Sequence, residues 1–126
     1  MLSYIKVNDI VLMDGIKDIV KLVCAVCAQD GIISSVELNN AFRLINSSFD
    51  KISRKDFDLF VEEFFEEDKN LEKYLISLPE PIDIKKILEV CFESAGSDGL
   101  DVRENFAFDK VCKFFRVNAE IFYKEK

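Results

Sequence analysis

The chain has 126 residues, of which 49% are hydrophobic and 33% charged, with only four glycines and two prolines. That is enough for one domain with a core, too short for two, and too apolar for a disordered chain. The net charge of −7 offers no basic stripe to displace phosphate counterions, so a nucleic-acid binder is not expected, and the absence of histidine removes the commonest general base and metal ligand.

Leu2 to Leu12 reads ambiguously, with a short leading helix as one option. From Asp14 to Gln29, Ile16, Ile19, Val20, Val23 and Cys27 recur at helical spacing, which predicts a helix. Beyond Lys21 this helix is apolar all round, as a buried central helix is. Its uncharged stretch, Leu22 to Gln29, is eight residues, where a membrane span needs about 20. The N-terminus lacks a basic segment followed by an apolar one, so export is not expected.

Asp30-Gly31 ends this helix, with Gly31 suited to the left-handed conformation of a helix terminus. Ser34 starts the next, with Leu38, Ala41, Phe42 and Ile45 inward, and Asn46-Ser47-Ser48 ends it. Ser53 to Asp68 predicts an amphipathic helix, its stripe formed by Phe57, Phe60, Val61, Phe64 and Phe65. Asn70 to Ser77 predicts another short one. Leu78-Pro79-Glu80-Pro81 is the strongest breaker in the chain and divides it into halves, 1–77 and 82–126.

Ile82 to Ser94 predicts a second central helix, stopped by Asp98-Gly99. Val102 to Arg116 follows, with Phe108, Val111, Cys112 and Phe115 inward, and Ala119 to Lys124 adds a last turn or two. No segment reads as a strand. The fold class is all-α: a single compact bundle of about seven helices in two repeated helix-turn-helix halves.

The repetition rests on two stretches, residues 28–37 and 97–104. Ser34 with Glu37, and Asp101 with Glu104, both fit a capping box, in which the first side chain accepts from the helix backbone and the glutamate accepts from the cap's own N–H. Ile33 and Leu38 add a hydrophobic staple that Leu100 and Asn105 do not reproduce. Capping leaves Asp30 and Asp98 unexplained, since a carboxylate at a helix C-terminus faces the negative end of the dipole. Two roles stay open for them: bonding the next turn's amides, or binding a cation. An EF-hand does not fit, because its first ligand positions would be Val26 and Ala28 in one copy, Ser94 and Gly96 in the other.

These stretches, with the Leu78-Pro79-Glu80-Pro81 break and the closing Phe115-Arg116-Val117-Asn118-Ala119-Glu120-Ile121-Phe122, resemble the TerB-like family of tellurite-resistance proteins over about the whole chain. The resemblance implies seven helices with internal pseudo-symmetry, a bacterial cytoplasmic stress-response protein, and acidic residues proposed to bind metal ions. The matching positions are Asp30, Glu37, Asp98 and Glu104, with Asp101 beside them. The second turn is one residue shorter than the first, and Gly96-Ser97 stands where Ala-Asp is more usual. Related domains occur fused to other modules, which implies an adaptor role.

Cys24, Cys27, Cys91 and Cys112 all fall in apolar helical runs, so they are expected to be reduced in a cytoplasmic protein. Cys24-Ala-Val-Cys27 has zinc-site spacing, and Cys91 and Cys112 would complete four thiolates if the central helices cross. Mid-helix in an apolar segment, however, cysteine behaves as a small hydrophobe. The acidic run at Glu62, Glu63, Glu66, Glu67 and Asp68 reads as a solvated helix face, and the 12 phenylalanines as core.

No phosphate loop, nucleophile elbow or His-Cys or Ser-His pairing is present. The expected function is therefore a non-enzymatic module binding a partner protein. The second reading is a divalent-cation binder using Asp30, Glu37, Asp98, Asp101 and Glu104. The third is carboxylate-based or metal-assisted hydrolysis.

Overall fold

The structure, a computed structural model, describes residues 2–29, 31–49, 51–79, 81–96 and 102–124, with side chains from Gly15 onward except at 102, 103 and 124. Among the described residues there are seven helices and no strand: α1 (Leu2–Cys27), α2 (Ser35–Ser48), α3 (Arg54–Glu66), α4 (Leu71–Ser77), α5 (Ile84–Ala95), α6 (Val102–Phe114) and α7 (Glu120–Lys124). The all-α expectation holds.

The leading segment is not a separate helix. It runs unbroken into the predicted central one, giving a single helix of 26 residues. Glycine within a helix usually weakens it, yet α1 passes straight through Gly15. The reason is a close approach: a Cβ at Gly15 would lie 2.9 Å from Cγ of Pro79. The missing side chain lets α1 pack directly on the breaker between the predicted halves.

From Ile16 onward α1 is the axis of the molecule, touching α2, α3, α4, α5 and α6. Val20, Leu22, Val23 and Val26 are almost completely buried, consistent with a helix enclosed on every side. The stripe of α3 packs inward as predicted, Phe57, Phe60, Val61 and Phe64 being buried and Phe65 partly so. α5 lies against α1 and α2, burying Ile87, Leu88, Val90 and Cys91. Phe92 of α5 joins Phe108 of α6 and Phe122 of α7 in an aromatic cluster, with ring centroids 5.1 to 5.7 Å apart.

The helix ends are set locally. Ser34, Ser53, Asn70 and Asp83 cap α2, α3, α4 and α5 by accepting backbone N–H bonds, each worth about 1 kcal/mol. Gly31 takes the left-handed conformation, φ 88°, just past α1. α5 ends at Ala95 with Gly96 as its cap, ahead of the Asp98-Gly99 pair, which lies outside the described residues. α6 closes with Val117 N–H bonded to Cys112 O and Arg116 N–H to Lys113 O. That is the Schellman pattern, but its left-handed position holds Arg116, φ 60°, where glycine is usual.

Candidate functional site

Of the five acidic positions singled out by sequence, Asp30, Asp98 and Asp101 lie outside the described residues. Glu37 and Glu104 are described, and both are buried, each 6% exposed. Glu37 performs the expected capping: its Oε1 accepts from Ser34 N–H at 3.0 Å, while Ser34 Oγ accepts from Glu37 N–H at 3.0 Å. Glu104 occupies the first turn of α6. The fold brings both carboxylates towards the C-terminal end of α1, where their charges help to hold the Cys27 thiol protonated. Among the described residues two buried oxygens have no hydrogen-bond partner: Oγ of Ser94, in the last turn of α5, and Oδ1 of Asn105, next to Glu104. Among the described residues no group of three or more Cys, Asp or Glu side chains is placed to hold a metal ion.

All four cysteines are buried and free. Burial pushes Cys24 up to about 12, against a weaker opposing effect of Lys21, and Cys112 up to about 11. Cys27 and Cys91 are raised too, again chiefly by burial. Thiols in this state are poor metal ligands and poor nucleophiles. The CxxC spacing belongs to the core.

A second polar group does not follow from the sequence reading. Lys21, only 2% exposed, stands among the apolar residues of α1. Its Nζ donates to Glu67 Oε2 at 2.6 Å and lies 3.1 Å from Glu63 Oε1. Tyr74 on α4 donates to the other Glu67 oxygen at 2.7 Å. Burial opposes the charge on Lys21, but its bonds to the two glutamates outweigh that and raise its pKa. The same bond from Lys21 lowers that of Glu67. Part of the acidic run is thus the counter-charge of a buried lysine. The signal in the sequence was a lone lysine inside an apolar run, with two glutamates one helical turn apart.

Described residues line grooves at the surface. One, of about 490 Å³, lies between α6 and α7 and includes Asp109, Lys113, Glu120 and Tyr123. Another, of about 670 Å³, is lined by Pro81, Ile82, Ile84, Phe114 and Phe115, all apolar. Phe114 is 47% exposed and Ile84 39%. No described helix is long and apolar enough to cross a membrane. Comparison of the chain with protein-family models, with curated proteins and with solved structures finds no match.

Proposed function

We propose that this chain is a non-enzymatic helical module of the TerB-like kind that binds a partner protein. The observation that supports this reading is the groove at Pro81, Ile82, Ile84, Phe114 and Phe115, where aromatic and aliphatic side chains stay at the surface. Buried aromatic and aliphatic anchors are what protein interfaces use. The test is reconstitution: a partner captured by cross-linking is purified and titrated against the chain by calorimetry. Binding is expected for wild type and lost in an Ile84→Asp/Phe114→Asp variant of unchanged helicity. Equal binding by that variant and wild type, or no partner that binds when pure, overturns the reading.

A second reading, a divalent-cation site at the two acidic turns, is favoured by Glu37 and Glu104 being buried near one helix end, and by the oxygens of Ser94 and Asn105, which find no partner among the described residues. On this reading Glu37 and Glu104 would hold the ion together with Asp30, Asp98 and Asp101. Millimolar calcium, magnesium or zinc should then raise the melting temperature of wild type and not of Asp30→Asn/Asp98→Asn. Saturation at a hundred times Kd corresponds to about 2.7 kcal/mol. Identical behaviour of the two proteins with all three ions counts against it.

A further inference from the structure

We propose that the groove between the start of α5 and the end of α6 docks a short acidic segment bearing apolar side chains, contributed by a partner protein. This rests on the interaction reading above and names the partner's chemistry. The chain as a whole carries −7, but the five lining residues fall within two stretches, 81–86 and 110–116, that hold five basic residues and one acid. The acid, Asp83, is engaged in capping α5. The bases are Lys85, Lys86, Lys110, Lys113 and Arg116, all exposed. Lys85 is loosely paired with Glu89 at 4.0 Å. Among the described residues no carboxylate lies within ion-pair distance of the other four. Lys110 sits one turn before Phe114 on the same helix face. Lys113 lines the α6–α7 groove, and the other four cations flank the apolar lining residues in sequence.

Arg116 points the same way. It follows Phe115 directly and holds a left-handed backbone, φ 60°, at the position where a Schellman end favours glycine. The chain carries a cation there against local preference, and such departures cluster where side chains have functional work.

Other occupants fit less well. A small-molecule site needs a few fixed polar groups to orient its ligand, and the five lining side chains supply none. A symmetric contact with a second copy would set the two sets of basic residues against each other. A segment with apolar anchors and flanking carboxylates satisfies both the groove and its flanking cations.

The experiment is selection of random peptides by display on the immobilised full chain, followed by fluorescence anisotropy with the selected peptide. The expected result is enrichment of sequences combining Asp or Glu with apolar residues, whose binding weakens as salt is raised. Phe114→Ala should weaken it about tenfold or more. Arg116→Gly should weaken it several-fold while leaving the fold intact and its helix end less strained, a pairing that a purely structural arginine would not give. Phe106→Ala, at an exposed position two turns away on α6, should leave binding unchanged. Enriched peptides that are basic or uncharged, or that are sensitive to Phe106→Ala and not to Phe114→Ala, overturn the proposal while leaving an interaction module standing. Failure to enrich any peptide overturns it too, with the reconstitution experiment deciding the broader reading separately. Self-association by sedimentation that Phe114→Ala abolishes assigns the groove to a second copy and overturns the proposal.

Discussion

Two glycines set the limits of substitution in opposite ways. A Cβ at Gly31 would meet nothing within 4 Å, but φ there is 88°, so its constraint is backbone alone. Gly31→Ala is expected to cost about 1–2 kcal/mol, the ordinary penalty for a left-handed L-residue. Gly15 is helical, and alanine there would gain about 1 kcal/mol of propensity. It would also drive a Cβ to 2.9 Å from the Pro79 ring, and overpacking costs about 1–3 kcal/mol. Gly15→Ala is therefore expected to be net destabilising by about 1 kcal/mol, read by urea denaturation. A stabilised Gly15→Ala protein would show that Pro79 yields freely. Gly31 was legible in the sequence because its requirement is local. Gly15 was not, because the neighbour that forbids a side chain is remote along the chain.

Among the elements, α1, α3 and α4 are tied by the Lys21, Glu63, Glu67 and Tyr74 group. Removing one partner of a buried ion pair costs about 3–5 kcal/mol when the other charge is stranded. Here Glu67 keeps 32% side-chain exposure and can rehydrate, so Lys21→Met should cost less, about 1–3 kcal/mol. Adding Glu67→Gln should recover part of that loss, since the double variant no longer holds the unpaired charge. The pH dependence follows from the directions of the shifts. Glu67 is depressed in the folded state, chiefly by its bond from Lys21. Its contribution is complete above the ordinary glutamate value of about 4.3 and is lost as pH falls through the lower native value. Lys21 and Tyr74 are raised. Their contributions are complete below about pH 10 and decline as pH rises towards the native values. Denaturation at a series of pH values should give a plateau between these limits, and Glu67→Gln should flatten the acid side. An acid limb unchanged in Glu67→Gln would mean that other carboxylates carry it.

For the molecule as a whole, the four cysteines report on the core, since Cys24, Cys27, Cys91 and Cys112 are each 3% exposed or less. With their thiols held protonated by burial, none should react with a thiol reagent in the native protein at neutral pH. All four should become reactive together, at a rate that tracks global opening of the bundle. One cysteine reacting far ahead of the others would reveal a helix that detaches alone. At this scale the average charge also misleads. A net −7 favours basic partners, and the basic residues in the stretches that supply the α5–α6 groove favour an acidic one.

The all-helical class, the stripe of α3, the cap at Ser34 with Glu37, the left-handed Gly31 and the burial of the four cysteines were all readable from the residues alone. Each depends on residues within a turn or two of one another, or on composition, and the physics of caps, glycines and amphipathic faces is short-range. Of the candidate acidic set, sequence could name Glu37 and Glu104 but not their burial near one end of α1. The unbroken course of α1 through Gly15, the conversion of Glu63 and Glu67 from a solvated face into partners of a buried lysine, and the meeting of Ile84 with Phe114 in one groove needed the tertiary structure. These features join segments far apart in sequence, and only the packing of α1 against its neighbours determines which side chains meet.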